Sequence, residues 1–261
     1  MIRIGVQAAS LRVPFKKALP LIASMHATGV ELDARGELRP GSLTETGLRQ
    51  VRKLLDDYGL SVAAVSFQTR RGYDVAEDLE RRIEATKQAL QLAYSLGCSV
   101  VLNQVGRIPS QEQQPDAWQR LVDSLTDIGR FSQRAGAWLA MTTGTDDGCV
   151  MRSLVEALPE GSVRVNFDPG NLIINGFSAD ESLRELASHV AHIQARDGVR
   201  DLARGRGLEV PLGRGSTDFP SLLGTLLEYR YQGFWTVARE SSNDPVRELN
   251  LGVQYLRNLA G

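Results

Sequence analysis

The sequence predicts an α/β fold, a single closed (β/α)8 or TIM barrel spanning residues 1–261. Short apolar runs rich in β-branched residues alternate eight times with longer stretches of helical periodicity. The 261 residues match the roughly 250 that one such barrel needs. An open doubly wound sheet would carry a glycine-rich phosphate turn after its first strand, where this chain has Gln-Ala-Ala-Ser-Leu.

The first half of the chain contains four predicted strand–helix units. Thr44 is a suitable N-cap for the second helix, and glycines at 59, 97 and 136 are typical of helix ends. The predicted strands are Arg3–Gln7, Gly29–Asp33, Leu60–Gln68 and Ser99–Gln104. The predicted helices are Pro14–Ala27, Leu43–Tyr58, Val75–Leu96 and Gln111–Ala135.

The second half repeats the pattern four more times and includes one long loop, Leu202–Asp218. The predicted strands are Ala137–Thr142, Val163–Asp168, His189–Ala195 and Gly233–Ala238. The predicted helices are Cys149–Leu158, Ala179–Ala187, Phe219–Tyr231 and Asp244–Leu259. The loop contains Arg204, Arg206 and Arg214. These arginines could bind a phosphate or carboxylate, form a solvated basic surface or lie at a subunit interface.

Composition excludes several classes of protein. The chain is 42% hydrophobic and 23% charged, which allows a large core in a soluble protein. A net charge of −1 gives no general affinity for nucleic acid or anionic membrane. No apolar run approaches the roughly 20 residues that span a bilayer, and the N-terminus has no signal-peptide pattern. We therefore expect a cytoplasmic protein with neither nucleic acid nor membrane as partner.

In a TIM barrel, functional groups lie at the C-terminal ends of the strands and in the loops that follow. Polar residues follow nearly every apolar strand here. Any one of them could be polar only because it meets water, but a ring of them predicts a pocket for a small ligand. The ring comprises Gln7, Glu31, Asp33, Gln68, Asn103, Gln104, Thr142, Asp168, Asn171, Gln194, Arg196, Asp197 and Glu240.

Four segments of the chain resemble the xylose isomerase-like family of sugar phosphate isomerases and epimerases. They are Asn166–Asn171, His192–Asp197, Glu209–Gly215 and Val237–Glu240. The resemblance implies a TIM barrel that moves a proton next to a carbonyl of a carbohydrate. It also implies one divalent manganese or magnesium ion, held by Glu, Asp, His and Glu at the ends of strands five to eight. The two glutamates usually serve as acid and base.

Carried over to this chain, those four ligand positions fall on Thr142, Asp168, Gln194 and Ala238. A hydroxyl, an amide and a methyl group cannot replace two carboxylates and an imidazole around a divalent ion. We therefore expect a largely lost metal site and no cofactor. A weak manganese or magnesium site remains possible if Glu31 or Glu240 joins Asp168.

The resemblance also assigns roles in catalysis. Asp168 is the candidate base, although Asp-Pro-Gly-Asn also suits a plain turn. Glu240 is the candidate second acid or base, or else a rim residue paired with Arg239 or Arg247. The candidate substrate-binding residues are Thr142, Asn171, Gln194, Arg196, Arg206 and Glu31.

Three functions stay open. The first is an isomerase- or epimerase-like enzyme acting on a sugar, sugar acid or polyol. The second is a non-catalytic carbohydrate-binding barrel or the partner subunit of an active paralogue, and the third is a metal-free lyase or dehydratase. An abasic-site endonuclease would need a multi-metal cluster and a basic face, which three histidines and a net charge of −1 do not favour. The resemblance further implies a possible homo-oligomer.

Overall fold

The computed structural model describes residues 2–201, 206–259 and 261. The strands are β1 (Arg3–Gln7), β2 (Gly29–Asp33), β3 (Ser61–Ser66), β4 (Val100–Asn103), β5 (Trp138–Thr142), β6 (Arg164–Phe167), β7 (Val190–Ala195), β8 (Asp197–Val199), β9 (Leu208–Val210) and β10 (Phe234–Val237). The helices are α1 (Phe15–Ser24), α2 (Glu45–Asp57), α3 (Leu79–Ser95), α4 (Pro115–Ala135), α5 (Gly148–Glu156), α6 (Pro169–Ile174), α7 (Ala179–Leu186), α8 (Phe219–Glu228) and α9 (Pro245–Leu259). Short 3-10 helices cover Ala8–Leu11 and Ala187–His189.

Eight parallel strands close into a barrel in the order β1-β10-β7-β6-β5-β4-β3-β2. The predicted (β/α)8 barrel is therefore confirmed. Local signals also behave as predicted: the Thr44 side chain accepts a hydrogen bond from the Gly47 amide at 3.2 Å. Gly136 ends α4 with φ at 76°, a backbone conformation that glycine adopts without strain. No helix in the described ranges has both the length and the apolar composition needed to cross a membrane.

The predicted loop Leu202–Asp218 contains a strand that was not expected from its residues. Strand β9 pairs antiparallel with β8, Gly198 lying opposite Glu209. Arg204 of this loop lies outside the described residues. The sequence pattern did not indicate this short strand, because glycines and charged residues surround it. Its formation depends on pairing with β8, a partner about ten residues earlier in the chain.

Helix boundaries differ from the prediction where local backbone preferences oppose a helix. Helix α3 begins at Leu79 instead of Val75 because Asp78 adopts a left-handed conformation with φ at 52°. Helix α4 begins at Pro115 instead of Gln111 because the residue before a proline disfavours helical backbone. The Asp-Pro-Gly-Asn sequence, which suited a turn, opens the short helix α6.

The interior of the barrel changes from apolar to polar along its axis. Ala64, Leu102 and Ala140 form a small apolar cluster inside the barrel. The interior is narrow beside Gly5 of β1, since a Cβ added there would lie 2.9 Å from the Thr236 hydroxyl. Polar side chains replace apolar ones nearer the C-terminal strand ends, and the candidate site lies among them.

Candidate active site

Glu31 is a buried carboxylate at the middle of β2. Its exposed fraction is 1%. Gln7 Nε2 donates to Glu31 Oε1 and Gln194 Nε2 donates to Glu31 Oε2, both at 2.8 Å. Burial raises the pKa of Glu31 to about 7, against the lowering effect of the two amides, and the Asp168 charge raises it further. The group can therefore take up or release a proton near neutral pH.

The two glutamines are held in turn by their own neighbours. Ser10 Oγ donates to Gln7 Oε1 at 2.6 Å. Asn166 Nδ2 donates to Thr142 Oγ1 at 3.0 Å and lies 3.5 Å from Gln194 Oε1. These contacts fix which end of each amide faces Glu31, so both carboxylate oxygens meet N–H donors.

His192 completes this chain of hydrogen bonds inside the barrel. Its Nδ1 lies 2.8 Å from Asn166 Oδ1 and its Nε2 lies 2.8 Å from Thr236 Oγ1. Burial lowers the pKa of His192 to about 3, so the ring is neutral. Because an amide oxygen only accepts, Nδ1 donates to Asn166 and Nε2 accepts the threonine proton. His192 therefore supports the site as a fixed neutral ring.

Asp168 is a second buried carboxylate, with an exposed fraction of 1%. Its Oδ1 accepts the Asn171 amide at 2.8 Å, and its Oδ2 lies 3.0 Å from Arg196 Nη1. Burial raises the pKa of Asp168 above its ordinary value, although Arg196 lowers it. The Asn171 side chain donates to the Thr143 carbonyl at 2.8 Å and so points towards β5.

Arg196 connects three carboxylates. Its Nη1 lies 3.0 Å from both Asp168 Oδ2 and Glu240 Oε1, and its Nε donates to Glu209 Oε1 at 3.0 Å. Burial lowers the pKa of Arg196, but the three carboxylates raise it above its ordinary value. The guanidinium is therefore a permanent cation beside Asp168.

Glu209, on β9, links the outer β8–β9 sheet to the barrel through its pair with Arg196. It also pairs with Arg239 Nη1 at 2.6 Å and accepts the backbone amide of Ser241 at 2.9 Å. Together with Arg196, these contacts outweigh burial and lower the pKa of Glu209. Glu209 was not among the predicted site residues, although it begins one of the segments that carry the family resemblance.

Six of the predicted site residues fall in two side-chain clusters. Glu31, Gln194 and Thr142 share one chain of hydrogen bonds through Asn166, and Asp168, Asn171 and Arg196 form the second cluster. Glu240 lies at its edge, with a side chain 69% exposed and paired with Arg196 instead of Arg239 or Arg247. Strand β10 ends at Val237, so strand alternation does not extend to Glu240. Arg206 is exposed two residues before β9 and makes none of the contacts described above.

A cavity of about 430 Å³ adjoins Glu31. Its walls come from the ends of β1, β2 and β3 and from the loops that follow these strands. The lining residues are Gln7, Ala9, Glu31, Asp33, Arg35, Ser66, Gln68, Thr69 and Arg70. The buried carboxylate is therefore next to a space that can admit a small polar molecule.

The family model for xylose isomerase-like TIM barrels matches residues 19–259. The chain belongs to this family. Among xylose isomerase-like barrels of known structure, a xylose isomerase domain protein from Planctomyces limnophilus is 24% identical, with a TM-score of 0.87 over 99% of this chain and 97% of the other. A D-tagatose 3-epimerase-like protein is 18% identical, with a TM-score of 0.79 over 99% and 98% of the two chains. Inosose dehydratase from Clostridium perfringens is 25% identical over 248 residues, which cover 88% of this chain and 73% of the relative.

The four positions to which the family resemblance assigns metal ligands do not offer a divalent ion a suitable donor set. Thr142 accepts a hydrogen bond from Asn166, Asp168 pairs with a guanidinium, Gln194 directs its N–H group to Glu31, and Ala238 has only a methyl group. In the described part of the chain, no three His, Cys, Asp or Glu residues form a group able to hold a metal ion. N–H donors and an arginine cation contact the carboxylates instead.

Proposed function

We propose that the protein is an enzyme that removes a proton next to a carbonyl of a carbohydrate-like small molecule, with Glu31 as the base. One observation carries this proposal: Glu31 is buried, has a pKa of about 7 and adjoins a cavity of about 430 Å³. A base titrating near neutral pH is efficient in proton abstraction. Membership of the xylose isomerase-like family supports a sugar-modifying reaction.

Removal of this proton leaves negative charge on the substrate oxygen, and the site must stabilise it. Arg196 is the fixed cation of the network, placed beside Asp168. Thr142 and Gln194 would offer a hydroxyl and an amide to substrate oxygens, in addition to their contacts with Asn166 and Glu31. Arg196 and these polar groups would together provide the stabilisation, with no step assigned to a metal ion.

The product depends on where the next proton goes. Return of a proton to the opposite face of the carbon gives an epimer, whereas return to the neighbouring carbon gives an isomer. If Asp168 instead protonates a hydroxyl on the adjacent carbon, that group leaves as water and the reaction is a dehydration. The likeness to inosose dehydratase favours dehydration as the second candidate.

Proton exchange with solvent tests the first step that all these reactions share, whichever product forms. Ketoses, aldoses, inososes and dehydro sugar acids would be incubated with the protein in D2O, and deuterium at the carbon next to the carbonyl measured by NMR. We expect exchange in at least one substrate and a loss of about 100-fold or more in Glu31→Gln. Glu160→Gln is the matched control, since Glu160 is exposed and remote in sequence from the site.

The same experiment separates catalysis from binding alone. Exchange that survives unchanged in Glu31→Gln would contradict the assigned base. Binding of a carbohydrate without exchange in any substrate would favour the non-catalytic barrel or the partner subunit. An epimer, an isomer or a dehydrated product in the wild-type reaction would decide between the catalytic candidates.

A further inference from the structure

A second and larger cavity, of about 820 Å³, is lined by arginines. It lies between the loops that follow β2 and β3 and the start of α3. Its charged lining consists of six arginines and two acidic residues: Arg35, Arg39, Arg70, Arg71, Arg81, Arg82, Glu77 and Asp78. Because the whole chain has a net charge of −1, this excess of positive charge is a local property of one cleft.

Internal contacts occupy only some of these guanidinium groups. Arg71 pairs with Glu77 at 2.5 Å, and Arg82 donates to the backbone carbonyls of Val75 and Glu77. Within the described ranges, Arg35 and Arg70 have no carboxylate partner. Their positive charge is therefore available to a ligand.

An aromatic ring supports one of these arginines at the cleft. The Arg35 guanidinium lies 5.5 Å from the centre of the Phe67 ring, which gives this long side chain a packing surface.

The arginine-lined cleft adjoins the cavity beside Glu31. Arg35, Thr69 and Arg70 line both spaces. One ligand can thus extend from the buried base to the arginines. The carbon atoms that react would lie towards Glu31, and a charged substituent would lie towards Arg35 and Arg70.

We propose that the substrate carries a phosphate or carboxylate group and that Arg35 and Arg70 bind this group. This inference rests on the proposed function of Glu31 and specifies the class of substrate for the same site. It places recognition of the anion at the β2 and β3 ends of the barrel. The arginine-rich loop Leu202–Asp218, predicted as one possible anion-binding segment, is not needed for it.

Direct binding of anions is the first test. The dissociation constants of inorganic phosphate and acetate would be measured by calorimetry at constant ionic strength. We expect phosphate affinity to fall by about 100-fold in Arg35→Gln/Arg70→Gln, roughly tenfold for each charged hydrogen-bonding group removed. Arg130→Gln removes the same charge from an exposed site on α4 and should leave both constants unchanged. Arg35→Lys/Arg70→Lys keeps the charge and should retain part of the affinity, which excludes misfolding as the cause.

Kinetics in D2O distinguish the two sources of negative charge. Phosphorylated, carboxylate-bearing and uncharged forms of one sugar skeleton would be compared. For the anionic form that the enzyme accepts as substrate, whether phosphorylated or carboxylate-bearing, KM should rise at least tenfold in Arg35→Gln/Arg70→Gln while kcat changes little. Glu31→Gln should instead lose kcat and still bind phosphate.

Each contrary result identifies which proposal fails. Preference for the uncharged sugar, or equal phosphate binding by Arg35→Gln/Arg70→Gln and wild type, would overturn the inference and leave the role of Glu31 intact. Phosphate binding that depends on Arg35 and Arg70, without proton exchange in any substrate, would support the anion site and overturn the proposed reaction.

Discussion

Glu31 and Asp168 are equally buried inside the same barrel, yet their surroundings differ. Two neutral amides hold Glu31, whereas the Arg196 cation contacts Asp168. Burial raises the pKa of both carboxyl groups, but an opposite charge at 3.0 Å counteracts it only at Asp168. Depth of burial alone therefore does not assign a role, because the charge of the nearest partner decides how readily each group exchanges its proton.

Among the changes considered, removal of the Arg196 guanidinium should cause the largest loss of stability. Arg196→Met leaves Asp168 and Glu209 buried without this partner, and we expect the free energy of unfolding to fall by about 3 to 5 kcal/mol. Arg152→Met is the control, since Arg152 pairs with Glu156 and Glu185 on the surface, where solvent screens the charges, and its loss should be much smaller. Urea denaturation at pH 7 measures both. Equal losses would show that solvent screens the Arg196 network.

The pH dependence of stability should reveal the unusual carboxyl group. Native Glu31 keeps its proton up to pH about 7, whereas the unfolded chain releases it near the ordinary glutamate value of 4.5. The native state binds more protons in this window, so its stability falls as pH rises. Asp168 and Asp33 face Glu31 and add to the raised pKa.

Denaturation of wild type and Glu31→Gln at pH 5 and pH 8 isolates this contribution. We expect the loss of stability between the two pH values to be about 2 to 3 kcal/mol smaller in Glu31→Gln than in wild type. Glu160→Gln should leave the loss unchanged. The same slope in all three proteins would mean that Glu31 titrates at its ordinary pKa.

The smallest expected effect is a shift in the pH dependence of proton exchange when an amide donor to Glu31 is removed. Gln194→Leu removes the donor to Glu31 Oε2, and this loss favours the protonated form of the Glu31 carboxyl group. The midpoint, which is the pH at which the exchange rate is half its maximum, should then rise by roughly one pH unit. Thr142→Val removes an acceptor of Asn166 and no donor to Glu31, so its midpoint should stay near the wild-type value. An unchanged midpoint in Gln194→Leu would show that this amide does not stabilise the charged form.

Much of the site was predictable because barrel topology converts strand order into proximity. Thr142 and Gln194 lie on β5 and β7 and Asp168 directly follows β6, and the closed parallel sheet brings these three strand ends together. The position of Glu240 at the exposed edge was harder to predict, because β10 ends three residues earlier, at Val237. Where a strand ends depends on its neighbours, and the residues of the strand alone do not fix that point.

Other features could not be predicted from the chain because they depend on tertiary contacts. Glu31 was predicted to bind substrate, but its pKa of about 7 follows from burial among groups on other strands. Glu209 reaches Arg196 only because β9 pairs with β8. The arginine-lined cleft combines segments that are separated along the sequence, and each is unremarkable by itself.

The contact between Arg196 and Asp168 limits how the four metal ligands implied by the family resemblance could be built into this barrel. Placing glutamates at Thr142 and Ala238 and a histidine at Gln194 would supply the missing donor atoms. It would also leave a guanidinium 3.0 Å from the remaining ligand and take from Glu31 one of its two amide partners. Engineering a metal-dependent variant would therefore require replacing Arg196 together with the three ligand positions, because the cation and the ion compete for the same oxygen.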